Sequence, residues 1–198
     1  MGARESVRTR LLTAAAELFY AQGVGATGID TITARAGVAK MSLYNNFASK
    51  ADLVQAYLQN RLDEWQQQLT EALASASTPE ERVLAVFDSY VGYAGLAYEW
   101  GFRGCGLLNA AAELSVGDPA RAIVAFQKRK VERLFSEALE ELAPQNPERV
   151  EDAAAHLSFV LEGAMARAGL DGDDTCLKTA RRIAVSLLRD LRNGPAAE

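Results

Sequence analysis

The segment from Ile29 to Phe47 restricts the fold more than any other part of the sequence, because it reads as two short helices joined by a tight turn. Gly37 ends the first helix, since the residue after a helix end often takes a positive φ that only glycine adopts without steric cost. In the second helix Leu43 and Phe47 face the core at a spacing of four. The inward face of the first helix consists of Ile29, Ile32, Thr33 and Ala36. Spacing alone leaves open a DNA-binding helix-turn-helix and a helical hairpin of some other α domain.

The outer faces of the second helix carry groups that suit nucleic acid. They offer a cation, hydroxyls, an amide and an aromatic edge, which can contact phosphates and base edges. A helix-turn-helix places the N-terminal residues of its second helix nearest the bases, here residues 39–45. The outward residues are Lys40, Met41, Ser42, Tyr44 and Asn45.

The continuation through Leu53 extends this pattern into a longer signature. The stretch Gly-Val-Ala-Lys-Met-Ser-Leu-Tyr-Asn-Asn-Phe-Ala-Ser-Lys-Ala-Asp-Leu, residues 37–53, resembles the TetR family of transcriptional regulators, as do the preceding Glu17-Leu18-Phe19 and residues 23–27. The resemblance covers about the first quarter of the chain. It implies a homodimer that binds a palindromic operator and responds to a small-molecule effector, most often as a repressor.

The resemblance also assigns DNA contacts. It implies that Lys40, Ser42, Tyr44 and Asn45 contact operator bases or adjacent phosphates, and Met41 suits a thymine methyl group. It places Thr27, Asn46 and Lys50 on phosphates. Family members usually carry Ser or Thr where this chain has Gly28, so Thr27 is the better candidate for a phosphate contact there.

Charge is distributed unevenly along the chain. Residues 1–50 hold six basic and three acidic residues, a net charge of +3, which leaves -8 for the rest of a chain whose net charge is -5. A basic N-terminal part on an acidic body is typical of a DNA-binding domain attached to a domain that does not touch DNA. Arg4, Arg8 and Arg10 near the start of the first helix oppose its dipole, which favours phosphate contacts over helix stability as their role.

The whole chain reads as α-helical, with about nine helices and no β alternation of useful length. We predict a three-helix DNA-binding domain over residues 1–48 and an effector-binding and dimerisation domain over 49–198. Thr78-Pro79-Glu80-Glu81 is a strong helix start, and we expect that fifth helix to reach about Trp100. Without a long apolar run, a secretory signal or a disulfide framework, the sequence predicts a cytoplasmic protein with no membrane span.

Aromatic residues concentrate where helices five to seven should meet. They describe either a small-molecule pocket or an ordinary core with outward tyrosines, and the resemblance favours the pocket. Cys105 precedes a helix and follows Arg103, so oxidant or electrophile sensing through its thiol is an alternative. The predicted effector-binding residues are Phe87, Tyr90, Tyr93, Trp100, Cys105, Asn109, Glu113 and Phe126, with Tyr98 and Phe102 in the same aromatic group.

The last two helices have broad apolar faces. TetR-like proteins dimerise through these helices as a four-helix bundle, although the same faces could fill the core of one protomer. The predicted dimer interface consists of Leu157, Leu161, Met165, Ile183, Leu187 and Leu191.

Other classes of protein find less support. There is no Gly-rich phosphate loop, no histidine paired with a nucleophile and no carboxylate pair in a plausible cleft, so we expect a protein that is not an enzyme. His156 is the only histidine and the two cysteines are distant, so we predict no metal and no cofactor. A helical adaptor that binds protein through its acidic body stays open. It would keep its partner when Lys40 and Lys50 become alanine.

Overall fold

The computed structural model describes residues 5–95 and 99–193, and Arg4 and Tyr98 lie outside these ranges. The described residues form nine helices and no strand, which confirms the all-α prediction. None of these helices is both long enough and apolar enough to cross a membrane. The helices are α1 Val7–Gln22, α2 Ile29–Ala36, α3 Lys40–Tyr44, α4 Lys50–Leu73, α5 Pro79–Ala94, α6 Gly106–Glu113, α7 Pro119–Leu142, α8 Pro147–Asp171 and α9 Thr175–Asn193.

Side-chain caps define several helix starts as the sequence predicts. The Thr78 hydroxyl accepts the amide of Glu81 at 3.2 Å, and the Glu81 carboxylate accepts the amides of Ser77 and Thr78 at 2.7 and 3.1 Å. These backbone hydrogen bonds, first that of Ser77, lower the pKa of Glu81. The Ser49 hydroxyl caps α4 through the amide of Asp52 at 3.1 Å. The predicted capping box before α5 is confirmed.

The end of α5 differs from the prediction. The helix stops at Ala94, and the Gly95 amide donates to the carbonyls of Val91 and Gly92 at 3.2 Å each. Trp100 therefore lies in a turn rather than in the helix. Two glycines within four residues lower helix propensity, which explains the earlier end.

The residues group into two compact units. The N-terminal unit contains residues 5–63 and 106–124, and the C-terminal unit contains 64–95, 99–105 and 125–193. In the N-terminal unit Phe19 of α1 meets Tyr57 of α4 edge to face, with ring centroids 5.5 Å apart. The C-terminal unit has its own core, in which Phe87 of α5 stacks on Phe135 of α7 at 5.7 Å. A functional division at residue 48 stays a prediction.

Candidate functional site

The turn between α2 and α3 is built on Gly37. Its φ of 63° and ψ of 41° are left-handed, as the sequence predicts. The Val38 amide donates to Thr33 O at 3.0 Å and the Gly37 amide to Ala34 O at 3.1 Å, the paired bonds of a Schellman motif. These bonds satisfy the carbonyls at the end of α2 and fix the direction in which α3 starts.

Two arginines of α1 hold the motif from within. Arg10 Nη2 donates to Ala36 O at 2.5 Å and to Gly37 O at 2.8 Å. Arg8 Nη1 donates to Asn46 O at 2.7 Å, and its guanidinium lies 4.2 Å from the centroid of the Phe47 ring. The expectation that phosphate contacts explain these arginines is therefore corrected. The carbonyls at helix C-terminal ends carry partial negative charge and bind the cations instead.

The outer face of α3 is exposed and chemically varied. Met41 is 67% and Tyr44 45% exposed, and Lys40 and Asn45 are also exposed. Ser42 is half-buried. Leu43 and Phe47 are buried on the opposite face, which confirms the predicted orientation of this helix. Four side chains that can contact a nucleic acid thus project from one short element.

Lys40 pairs with Asp30 of α2 across this surface, with Nζ and Oδ1 2.8 Å apart. The hydrogen bond and the charge of Asp30 raise the pKa of Lys40. Both side chains are more than half exposed, and an exposed ion pair contributes little stability. The ammonium can therefore exchange Asp30 for another anion at little cost.

The three side chains predicted to contact phosphates differ in burial. Thr27 is fully buried, and its hydroxyl donates to Gly23 O at 2.6 Å and to Leu18 O at 3.3 Å. Its side chain cannot reach a phosphate in this conformation, so we leave Thr27 out of the interface. Asn46 is half-buried and donates through Nδ2 to Ser42 O at 2.7 Å. Lys50 is also half-buried, and its Nζ donates to Val24 O at 2.6 Å.

The residues predicted to bind an effector belong to two different units. Asn109 and Glu113 belong to the N-terminal unit, and the Glu113 carboxylate accepts the amides of Val24 and Gly25 at 3.0 and 2.6 Å. Glu113 is thus occupied by a backbone loop rather than by the aromatic group. The other six lie in the C-terminal unit, where Phe87 and Tyr90 are buried, Tyr93 and Cys105 are half-buried, and Trp100 and Phe126 are exposed.

A polar cluster in the C-terminal unit joins two predicted residues, Tyr90 and Cys105, to three that the sequence analysis missed. Gln127 Nε2 donates to the Tyr90 hydroxyl at 2.7 Å, and Gln127 Oε1 is buried without a partner. Lys128 Nζ lies 2.8 and 3.0 Å from the two carboxylate oxygens of Glu162 and 3.6 Å from Cys105 Sγ. We call these five residues the polar cluster.

Burial and charge interactions shift the pKa values of two members of the polar cluster. Burial raises the pKa of Tyr90 far above that of an ordinary tyrosine. Burial lowers the pKa of Lys128, but its interactions with Cys105, Tyr90 and Glu162 outweigh that effect and raise it overall. The phenol is therefore neutral and the ammonium charged around neutral pH. The unpartnered Gln127 oxygen leaves a buried acceptor that a donor group can fill.

The predicted dimer residues mostly belong to the protomer's own core. Leu157, Leu161, Met165 and Leu191 are buried within one chain, so they cannot contact a partner without rearrangement. Leu187 is half-buried and Ile183 is exposed. A different stripe of α8 faces outward at spacings of three and four. It contains Phe159, Gly163, Ala166 and Leu170, of which Phe159 is 71% and Leu170 83% exposed.

Comparison with known proteins identifies the family. The profile described as "Bacterial regulatory proteins, tetR family" matches residues 11–57. The crystal structure of SCO4454, a TetR-family transcriptional regulator from Streptomyces coelicolor, superposes with a TM-score of 0.85 at 33% identity and covers 94% of this chain and 96% of that one. The chain belongs to the TetR family of transcriptional regulators. The resemblance of residues 37–53 to this family is thereby confirmed.

Two further TetR-family relatives differ in the sign of regulation. The transcriptional activator FasR of Mycolicibacterium smegmatis is 37% identical over 87 residues, 44% of this chain and 40% of FasR. The transcriptional repressor KstR2 of Mycobacterium tuberculosis is 35% identical over 86 residues, 43% of each chain. The chain thus matches about two fifths of the length of these relatives. All three relatives are regulators of transcription, which is consistent with the expectation of a protein that is not an enzyme.

Proposed function

We propose that this protein is a repressor that binds a palindromic DNA operator as a homodimer and leaves it when a small-molecule effector binds. The observation that carries operator binding is the exposed face of α3, where Lys40, Met41, Tyr44 and Asn45 project outward. An amide can pair with adenine, a thioether can contact a thymine methyl group, and the hydroxyl and ammonium can reach base edges or phosphates. Repression follows the expectation from the sequence and is the sign of KstR2, whereas FasR is an activator.

Phosphate contacts come from the edges of the same surface. Lys40 exchanges Asp30 for a phosphate, which gains the attraction of a dense anionic backbone. Lys50 at the start of α4, Asn46 just after α3 and Ser42 in the middle of α3 remain candidates for phosphates. Each lysine that neutralises a phosphate adds to the salt dependence of binding.

Dimerisation uses the exposed stripe of α8 together with Ile183 and Leu187 of α9. Exposed apolar side chains of this size mark an interaction surface. Gly163 faces open space, since a Cβ built there would meet no atom within 4 Å, and its lack of a side chain would let a second helix approach closely. A two-fold axis between two copies would present one α3 to each half of a palindrome.

The polar cluster supports effector binding in the C-terminal unit. A buried acceptor without a partner costs stability, and a ligand group that donates to Gln127 Oε1 removes that cost. The effector releases the operator only if it binds the operator-free state more tightly, with a coupling of about 1–3 kcal/mol. An effector that leaves operator affinity unchanged contradicts this part of the proposal.

The test of operator binding is fluorescence anisotropy on duplexes that flank the protein's own gene, across a salt series, with Lys40→Ala as the variant. We expect tight binding to one near-palindromic fragment that falls steeply with salt and weakens severely in the variant. Glu140→Ala, an exposed change in the C-terminal unit, is the control and should bind as the wild type does. Weak and equal binding to every fragment would favour the adaptor function.

A second candidate is electrophile sensing through Cys105. The observation that favours it is the contact between the Lys128 ammonium and the Cys105 sulfur, which lie 3.6 Å apart. Alkylation with iodoacetamide followed by mass spectrometry measures the reactivity of each thiol. We expect Cys105 to react faster in the wild type than in Lys128→Met, with Cys176 as the internal reference. Equal rates in both proteins would exclude activation by Lys128.

A further inference from the structure

In the α1–α2 loop, residues 23–28, five consecutive polar groups of the backbone are hydrogen-bonded. The Gly23 amide donates to Phe19 O at 3.0 Å, and Gly23 O accepts the Thr27 hydroxyl at 2.6 Å. Val24 O accepts Lys50 Nζ at 2.6 Å. The two remaining groups, the amides of Val24 and Gly25, donate to the carboxylate that α6 supplies. The conformation of the loop is therefore set by the side chains of Thr27 just before α2, Lys50 of α4 and Glu113 of α6.

Glu113 reaches the loop because two glycines leave room for it. Its Oε1 accepts the Val24 amide at 3.0 Å and its Oε2 the Gly25 amide at 2.6 Å. A Cβ at Gly23 would lie 2.6 Å from Oε1, and one at Gly25 would lie 3.1 Å from Oε2. Gly23 also has a φ of 91°, which other residues rarely adopt. We call the two amide–carboxylate bonds the Glu113 latch.

The rest of α6 holds Glu113 in place. At the other end of the helix, a Cβ on Gly106 would lie 3.0 Å from the Tyr57 hydroxyl and 3.1 Å from the Tyr20 ring, so the helix start packs closely on α1 and α4. Beside Glu113, Arg121 Nη1 donates to Ala111 O at 3.1 Å and to Leu114 O at 2.9 Å. All of these residues lie in the N-terminal unit. The carboxylate is thus presented by a helix that is fixed at both ends.

We propose that Glu113 is a positioning residue for DNA binding, which holds the α1–α2 loop and sets operator affinity without touching DNA. This proposal rests on the operator binding proposed above. The loop leads directly into α2 at its N-cap, Gly28, and Gly28 contributes no side-chain cap of its own. Charge-assisted hydrogen bonds are stronger than neutral ones, and a loop ordered before binding need not be ordered on DNA. Any shift of α6 that withdraws the carboxylate frees the loop.

The experiment compares Glu113→Ala and Glu113→Gln with the wild type, and Glu140→Ala serves as the control for loss of one exposed negative charge. Amide hydrogen exchange followed by NMR measures the protection of the Val24 and Gly25 amides, which form the Glu113 latch. We expect both amides to exchange at least about tenfold faster in Glu113→Ala, and one amide to stay protected in Glu113→Gln, whose side chain has a single acceptor oxygen. The control should match the wild type.

Fluorescence anisotropy on the operator fragment then measures the operator affinity of each variant. We expect Glu113→Ala to bind about fivefold more weakly and Glu113→Gln to fall between it and the wild type, because a loop that loses one or both bonds of the Glu113 latch must be ordered when DNA binds. Faster amide exchange with unchanged operator affinity would overturn the positioning role. Unchanged exchange at both amides would overturn the latch. If the wild type binds no duplex, both the proposed operator binding and the positioning role are wrong. The amide exchange rates still show in that case whether the Glu113 latch exists.

Discussion

Replacing Gly37 by alanine tests the turn on which the helix-turn-helix depends. The left-handed backbone of Gly37 costs alanine about 1–2 kcal/mol. The new Cβ would lie 2.9 Å from Arg10 Nη2, so the guanidinium must shift and weaken its bonds to Ala36 O and Gly37 O, at about 1 kcal/mol more. We expect a loss of about 2–3 kcal/mol in the free energy of unfolding. In a protein of this size that lowers the melting temperature by about 5–10 °C.

The assay is urea denaturation followed by circular dichroism, performed on four proteins that complete a double-mutant cycle with Arg10→Met. In the Arg10→Met background no guanidinium needs to move, so Gly37→Ala should cost only the backbone part, about 1–2 kcal/mol. Equal costs in the two backgrounds would show that Arg10 does not contribute. A Gly37→Ala variant as stable as the wild type would refute the reasoning about the turn itself.

Three further predictions concern the C-terminal unit. Burial raises the pKa of Tyr90, so the folded state keeps a proton that an unfolded tyrosine loses near pH 10. The free energy of unfolding should therefore fall as pH rises above about 10, and it should fall less in Tyr90→Phe. Denaturation of both proteins across pH 8–11 measures this difference. Phe159→Lys should yield monomers in sedimentation velocity and remain folded, whereas Leu161→Ala should lose about 2–5 kcal/mol of stability on urea denaturation. Thr78→Ala should remove the α5 cap and cost about 1 kcal/mol in the same measurement.

Local patterns made the helix-turn-helix predictable from the sequence. Gly37, Leu43 and Phe47 lie within one short segment, and their spacing alone fixes which residues turn, which face inward and which face outward. The capping box at Thr78 is equally local. In both cases the residues that make the contact are close in sequence, so the pattern and the structure contain the same information.

Contacts between distant segments were not predictable in this way. Glu113 binds an amide 88 residues earlier in the chain, and no periodicity in α6 indicates that partner. The same holds for Arg8 and Arg10, whose carbonyl partners lie beyond the helix that carries them. From the sequence we expect Glu113 at an effector pocket and Arg8 and Arg10 on phosphates, whereas packing between helices places all three side chains on backbone atoms.

The buried Gln127 and the exposed stripe of α8 show a second limit of prediction from sequence. Gln127 lies on the apolar stripe of α7 with Val124, Val131 and Phe135. A polar residue at an inward position of such a stripe is a sequence signal for a buried polar group. The apolar residues of α8 are distributed over more than one face. Periodicity identifies those faces but does not say which one packs inside the protomer, so buried Leu161 was predicted at an interface where exposed Phe159 is the better candidate.

The most direct test of DNA recognition by α3 is selection of binding sites from a random duplex library by the wild type and by Asn45→Ala. The wild type should enrich one near-palindromic sequence. The variant should enrich the same sequence with relaxed preference at one symmetric pair of positions, one in each half-site, because a bidentate side-chain contact discriminates by about 1–3 kcal/mol per base pair. Enrichment of no sequence by the wild type, or of an identical sequence with identical preferences by both proteins, would contradict base recognition by this face of α3.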